Sequence, residues 1–263
     1  MARPCHVLRV FTRDGVGGNA LGVVNDPVGL DTAKMQQIAA DLGFSETTFV
    51  EWPPGSDPVV RIFTPTAEMP FAGHPMVGTA WVFHHLGPGG VDHLRCQTGA
   101  VAIRSDESST WIELDPLGKV IPVPDLADQL RSARIPQPAR SWLVEMPLEY
   151  LILDLGDSAA VRDLDVDFDA LDQFGTYVFA RDGSTVHARF FAPGHGVPED
   201  PATGSAAVAL AAALSSSGEE SGHLTILQGE EVGNPSQIEL HWTPQSVSIG
   251  GGVVRDEVRL LNA

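Results

Sequence analysis

Cysteine is scarce in this sequence of 263 residues, which contains only Cys5 and Cys96. The two lie far apart and form no C-x-x-C pair, so the sequence offers neither a disulfide framework nor a cysteine zinc site. Basic residues are also few, since 16 Lys and Arg stand against 34 Asp and Glu, which gives a formal net charge of −18. That charge repels phosphate backbones and anionic lipid head groups, so we expect no nucleic-acid partner and no membrane partner.

Long hydrophobic runs are missing as well. The most apolar window, residues 206–214, is much shorter than the roughly 18 apolar residues of a spanning helix. The first residues enter a strand-like run and lack the apolar core of a signal peptide. Together with the few cysteines, these features predict a cytoplasmic protein. The length and the 43% hydrophobic content suit a globular protein of about two modest domains.

Local patterns predict a mixture of strands and helices. Residues 7–12 and 20–24 are rich in β-branched side chains and flank the glycines of 15–19, which indicates a hairpin. Asp31 or Thr32 can cap a helix whose apolar positions run from Met35 to Leu42 at helical spacing, with Gly43 as its C-terminal glycine.

A strand, a Pro-containing loop and a helix occur twice along the chain. With a gap-free offset of 128 residues the two copies share five identities: Arg61/Arg189, Phe63/Phe191, Pro65/Pro193, Pro70/Pro198 and Leu86/Leu214. This repeat predicts two similar domains. The stretch 115–125, which contains Pro116, Pro122 and Pro124, is the predicted linker.

Two residues in the first half of the chain are candidates for acid/base chemistry. Glu46 lies within 43–50, a segment otherwise composed like a buried or half-buried strand, and burial would raise the pKa of its carboxyl group. The alternative is a Glu on an edge strand that faces water. His74 stands directly before a predicted helix, next to Gly73, where an imidazole can bind an anion or move a proton. The alternative there is a helix-capping or core histidine.

The second copy contributes a further set of polar residues before its Ala-rich helix. Gly204 and Ser205 would present donors at that helix start, and Asp200 precedes them. Taken singly, Asp200 can be a turn residue, and Thr203 or Ser205 an ordinary helix cap. Taken together, the two helix starts could hold a carboxylate or an enolate between them while Glu46, His74 and Asp200 act on it.

Three segments carry a family resemblance. Residues 43–50 (GFSETTFV), 68–75 (EMPFAGHP) and 199–206 (EDPATGSA) resemble the signature blocks of the PhzF family, the phenazine-biosynthesis isomerases and their relatives, and stand in the same order. The resemblance implies an α+β protein of the diaminopimelate epimerase-like fold. Its two similar domains, related by a pseudo-two-fold repeat, would each wrap a barrel-like sheet around a central helix. The domains would span 1–116, joined by a C-terminal strand at about 252–263, and 117–251, with the active site between them.

The resemblance also implies roles for individual residues. Glu46 would be the catalytic acid/base, helped by His74 and Asp200, while Ser205 and the backbone of Gly73 and Gly204 would hold the substrate. The reaction implied is proton transfer between carbons of trans-2,3-dihydro-3-hydroxyanthranilate or a related carboxylated metabolite, with no cofactor. A homodimer is expected from the habit of the family.

Other interpretations remain open or are set aside. Epimerases of this fold use two thiols at the two helix starts, but neither cysteine lies near either motif, so a carboxyl-based mechanism is favoured. A non-catalytic protein that binds a carboxylated metabolite is the alternative from another class. The Gly15–Ala20 pattern resembles a dinucleotide fingerprint but precedes a strand, which argues against NAD. We predict no metal site, because neither the aspartates at 165–169 nor the histidines at 84, 85 and 93 have the spacing of metal ligands.

Overall fold

The computed structural model describes residues 2–87, 90–116, 118–123, 125–171 and 174–262. The strands are β1 Ala2–Thr12, β2 Asn19–Val24, β3 Glu46–Glu51, β4 Val59–Phe63, β5 Glu68–Met69, β6 His93–Cys96, β7 Gly99–Ser105, β8 Thr110–Leu114, β9 Lys119–Ile121, β10 Arg140–Glu145, β11 Glu149–Asp154, β12 Gly175–Asp182, β13 Thr185–Ala192, β14 Val197–Asp200, β15 Gly222–Gln228, β16 Ser236–Trp242 and β17 Val247–Asn262. The helices are α1 Thr32–Leu42, α2 Gly73–His85, α3 Ala127–Ser132, α4 Ser158–Arg162 and α5 Gly204–Ser216.

The chain divides into two compact units. Unit 1 comprises residues 1–113 and 250–263, and unit 2 comprises residues 114–249. Within the described residues, none of the helices is both long and apolar enough to cross a membrane.

In unit 1 a ring of strands surrounds helix α2. β1 pairs with β2 on one side and with β17 on the other, and the pairings continue through β3, β4, β6 and β7 to β8, which returns to β17. Ten of the 13 residues of α2 are buried, as expected for a helix that is apolar on every side. A Cβ atom at Gly78 would lie 2.4 Å from Cδ2 of Leu21, so glycine is what allows α2 to approach β2 so closely.

The predicted opening hairpin and first helix are both confirmed. β1 and β2 pair antiparallel, with Val10 opposite Asn19. The side chain of Asp31 accepts a hydrogen bond from the backbone N–H of Lys34 at 2.8 Å, which is the expected cap of α1. Gly43 ends the helix in the left-handed region with φ 67°.

The predicted internal repeat is present in the strand pairing. From β1 to β7 the pairs are antiparallel (β1–β2), parallel (β2–β3), antiparallel (β3–β4 and β4–β5), parallel (β4–β6) and antiparallel (β6–β7). From β10 to β16 the same sequence of pairs recurs, with β10 in the place of β1 and β16 in the place of β7. In unit 2 helix α5 takes the place of α2, and nine of its 13 residues are buried.

The gap-free alignment of the repeat is correct only for its first strand. Arg61 makes two hydrogen bonds of 2.7 Å to Glu68, and Arg189 makes the corresponding bonds of 2.8 and 2.7 Å to Glu199. The two central helices begin at Gly73 and Gly204, which are three residues farther apart than the two arginines. The second copy therefore has three additional residues, and they form a 3₁₀ turn, Pro193–His195, between β13 and β14. The matches Pro65/Pro193, Pro70/Pro198 and Leu86/Leu214 are therefore coincidences and not equivalent positions.

The predicted linker was partly wrong. Residues 119–121 form strand β9, which pairs antiparallel with β10, so this stretch contributes to the sheet of unit 2. Residues 117 and 124, including the predicted linker residue Pro124, lie outside the described residues.

Candidate active site

Glu46 is the first residue of β3, where the chain re-enters the sheet after α1. The left-handed turn at Gly43 reverses the chain, and Glu46 then lies opposite Leu21 in the parallel β2–β3 pair. Its side chain is 15% exposed. Of the two interpretations of this residue from the sequence, the structure therefore favours a largely sequestered carboxyl group.

His74 lies against Glu46. Its Nε2 atom is 3.3 Å from Oε2 of Glu46, at an angle outside that of a normal hydrogen bond, and its side chain is 5% exposed. His74 is the second residue of α2, not the residue before it as predicted, because the helix begins at Gly73. Gly73 itself is buried at this helix start.

Two polar residues hold the other side of the imidazole. Nδ2 of Asn19 is 3.5 Å from Nδ1 of His74, and Ser45 donates a hydrogen bond of 3.0 Å to Oδ1 of Asn19. Because Oδ1 of Asn19 accepts the hydrogen bond from Ser45, the amide nitrogen Nδ2 is the atom that faces the His74 ring. Asn19, Ser45, Glu46 and His74 thus form one connected cluster in unit 1.

His74 is neutral at physiological pH. Burial lowers the pKa of this imidazole from 6.5 to about 3, and a hydrogen bond with the backbone of Ala20 offsets only part of the shift. Glu46 therefore faces an uncharged ring rather than an imidazolium ion. A neutral imidazole can orient a carboxyl group and pass a proton without locking that group in its ionised form.

This buried imidazole predicts a specific loss of stability in acid. Between pH 6.5 and pH 3 the unfolded chain binds a proton at residue 74 and the folded chain does not, so stability falls as the pH falls, by up to about 1.4 kcal/mol per pH unit. From pH 7 to pH 4.5 the free energy of unfolding of the wild type should fall by about 2 to 3 kcal/mol more than that of His74→Asn. Urea unfolding at a series of pH values measures this difference. His93→Asn, which changes an exposed histidine, is the control and should follow the wild type. Parallel curves for the wild type and His74→Asn would contradict a buried neutral His74.

In unit 2 a second polar cluster forms where β14 ends and α5 begins. Asp200 is the last residue of β14 and is 8% exposed. Thr203 donates a hydrogen bond of 2.5 Å to Oδ2 of Asp200. Gln228, at the end of β15, donates to the backbone oxygen of Asp200 at 2.7 Å and to Oγ1 of Thr203 at 3.1 Å. These contacts fix the orientation of the Asp200 loop.

The starts of the two central helices have no side-chain caps. Ala72 is the cap residue of α2, and Thr203, the cap residue of α5, directs its hydroxyl group to Asp200 instead of to the helix. Gly204 and Ser205 are the first two residues of α5, in the places that Gly73 and His74 occupy in α2. Backbone N–H groups in the first turn of a helix lack partners within the helix and favour an anion.

The predicted site residues therefore fall into two local groups. Unit 1 brings together Glu46, Gly73 and His74, and unit 2 brings together Asp200, Gly204 and Ser205. Sequence reasoning did not identify the contributions of Ser45, Gln228 and Tyr150, the last of which hydrogen-bonds Ser205. Ser45 could have been found as the neighbour of Glu46, whereas no local pattern points to Gln228. No set of three His, Cys, Asp or Glu side chains within the described ranges is grouped so as to hold a metal ion.

Comparison with known proteins identifies the family. The profile of the PhzC-PhzF family, described as phenazine biosynthesis-like proteins, matches residues 8–256. The chain is 34% identical over 291 residues to an uncharacterised isomerase of Mesorhizobium japonicum, and the match covers 94% of each protein. It is 34% identical over 246 residues to the trans-2,3-dihydro-3-hydroxyanthranilate isomerase of Pseudomonas fluorescens, covering 88% of this chain and 87% of the relative.

Solved structures agree on the fold. A PhzF-family protein of Bacillus anthracis superposes with a TM-score of 0.86 at 20% identity, with full coverage of both chains. A hydroxyproline epimerase of Agrobacterium vitis superposes with a TM-score of 0.66 at 11% identity, covering 100% of this chain and 93% of that one. The predicted α+β, epimerase-like fold is confirmed, and so is the resemblance on which it rested. The chain belongs to the phenazine biosynthesis-like family, and it is an isomerase of the PhzF type.

Proposed function

We propose that this isomerase moves a proton between two carbons of a small cyclic carboxylate, with Glu46 carrying the proton. The observation that supports this most directly is the position of the Glu46 carboxyl group, largely sequestered and 3.3 Å from a neutral His74. The substrate we propose is trans-2,3-dihydro-3-hydroxyanthranilate or a close relative, after the name of the P. fluorescens isomerase.

The reaction needs no oxidant, reductant or other co-reactant. Glu46 accepts the proton as a C–H bond of the substrate breaks, and the electron pair of that bond is delocalised over the adjacent unsaturated system. The proton then returns from Glu46 to a different carbon of that system, and the Glu46 side chain is a carboxylate again. Atoms and electrons balance within one substrate molecule, so no cofactor is required.

The remaining groups hold and polarise the substrate. His74, positioned by Asn19, would orient the Glu46 carboxyl group and take part in the transfer. Asp200, held by Thr203, would accept hydrogen bonds from donors on the substrate. It would also help to set the protonation of Glu46. Ser205 would bind the carboxylate of the substrate, and the first amides of α2 and α5, at Gly73 and Gly204, would stabilise negative charge as it develops.

A two-thiol epimerase mechanism is not supported by the residues at the helix starts. The cap positions of α2 and α5 hold Ala72 and Thr203. Cys5 lies in the core of unit 1, where burial raises the pKa of its thiol to about 11. A thiol with so high a pKa is a poor base near neutral pH. A homodimeric assembly and a cytoplasmic location stay predictions from the sequence.

The proposed function is tested by following a candidate substrate with NMR. The purified protein, with no added cofactor, is incubated with trans-2,3-dihydro-3-hydroxyanthranilate in H2O and in D2O. We expect the signals of the substrate to be replaced by those of an isomer, with deuterium at the carbon that receives the proton wherever the Glu46 proton exchanges with solvent. A substrate that binds, as seen by line broadening, but remains unchanged would contradict this substrate and favour a binding role. The same assay on other cyclic and amino-acid carboxylates shows whether a different substrate is turned over.

A further inference from the structure

Tyr150 is a buried tyrosine beside Ser205 that the proposed reaction does not use. It is the second residue of β11, is 4% exposed, and donates a hydrogen bond of 2.8 Å from its phenol to Oγ of Ser205. We propose that Tyr150 is a positioning residue, which directs the hydroxyl proton of Ser205 toward the anionic group of the substrate. This inference rests on the proposed role of Ser205 in substrate binding.

The argument starts from the single proton of a serine hydroxyl group. Because Oγ of Ser205 accepts the proton of Tyr150, its own proton must point elsewhere. Ser205 lies in the first turn of α5, where the backbone N–H groups also favour a negative charge. A chain of two hydroxyl groups that donate in the same direction polarises its last donor, so the contact with an anion is strengthened.

The packing around Tyr150 fixes its ring for this purpose. Tyr150 lies opposite Gly175 in the parallel β11–β12 pair, just as Leu21 lies opposite Glu46 in unit 1. A Cβ atom at residue 175 would be 2.8 Å from Cζ of Phe190 and 3.4 Å from Cδ1 of Tyr150. The centroids of the Tyr150 and Phe190 rings are 6.0 Å apart. At the position that Glu46 occupies in unit 1, unit 2 therefore has Gly175, which leaves space for the rings of Tyr150 and Phe190.

The alternative role for Tyr150 is purely structural, and kinetics separates the two. Tyr150→Phe keeps the ring and removes the donor. We expect KM to rise about five- to tenfold with kcat changed less than twofold, because a contact with the substrate carboxylate made equally in ground and transition states affects binding alone. In the Ser205→Ala background the same change should have no further effect. A rise in KM that is equally large in both backgrounds, or no rise at all, would overturn the proposal.

The chain provides a matched control. Only two tyrosines are present, and the hydroxyl group of the other, Tyr177, is buried without a hydrogen-bond partner among the described residues. Tyr177→Phe removes a phenol from the same unit without touching Ser205. Its KM should equal that of the wild type.

A second measurement does not depend on turnover. Labelling tyrosine with ¹³C at Cζ gives two resonances, which Tyr150→Phe and Tyr177→Phe assign. In the absence of ligand, Ser205→Ala should shift the Tyr150 resonance and leave that of Tyr177 in place. An unmoved Tyr150 resonance would overturn the inference even if the protein is an active isomerase. A shifted resonance in a protein that turns over no carboxylate would instead count against the proposed function.

Discussion

Replacing Glu46 by glutamine should lower the rate of isomerisation by about 10²- to 10⁴-fold, the usual contribution of a general acid/base. Glutamine keeps the shape of the side chain and a polar group at the same position, 3.3 Å from His74. It cannot accept a proton from carbon and give it back. The loss should therefore appear in kcat, while KM changes little. The rate of product formation in the NMR assay, at saturating substrate, measures this effect.

The matched control lies at the other end of the same strand. Glu51 is the last residue of β3 and is exposed, so Glu51→Gln makes the same chemical change away from His74. We expect this variant to turn over substrate at the wild-type rate. Circular dichroism and substrate binding should show that both variants are folded. A Glu46→Gln protein that is folded and as active as the wild type would refute the proposed mechanism.

Local signals in the sequence were sufficient for those elements whose boundaries are set by nearby residues. For α1, the cap at Asp31, the apolar spacing and the glycine at 43 all agree, and the helix was predicted correctly. For α2, the prediction placed His74 directly before the helix and so took Pro75 as the first helical residue, whereas the helix begins at Gly73. Proline is tolerated throughout the first turn of a helix, so it does not mark the first residue. That difference places His74 inside the helix.

Contacts between distant residues could not be predicted in this way. His74 and Asn19 are 55 residues apart, and Thr203 and Gln228 are 25 apart, so no helical or strand period relates the members of either pair. The burial of Glu46 was also undetermined, because the first residue of a strand can face either side of the sheet. The repeat itself could be detected. Its gap-free alignment failed after the first strand, because the second copy has three additional residues in the loop, and no pattern in the sequence marks that insertion.

The largest effect on stability should come from the buried ion pair of unit 2. Arg189 and Glu199 make two hydrogen bonds, and their side chains are 8% and 7% exposed. Arg189 also donates to the backbone oxygen of Leu164 at 2.7 Å. Removing one charge from such a pair leaves the other buried without its counter-ion, at a cost of about 3 to 5 kcal/mol. Glu199→Gln should therefore lower the free energy of unfolding by about 3 kcal/mol, at the lower end of that range because glutamine keeps one acceptor.

The repeat contains its own control for this prediction. Arg61 and Glu68 form the equivalent pair in unit 1, with the same two hydrogen bonds, and each arginine lies 5.1 Å from the ring of the following phenylalanine, Phe63 or Phe191. The side chains of Arg61 and Glu68 are 27% and 22% exposed, so water screens their charges. Glu68→Gln should therefore lower the free energy of unfolding by only about 1 kcal/mol. Urea unfolding of both variants under one set of conditions gives the comparison. Equal losses would contradict the claim that burial, and not bond geometry, sets the cost. Replacing Arg189 and Glu199 together by methionine should then recover part of the loss, because the desolvation of both charges disappears with them while the backbone oxygen of Leu164 loses its donor.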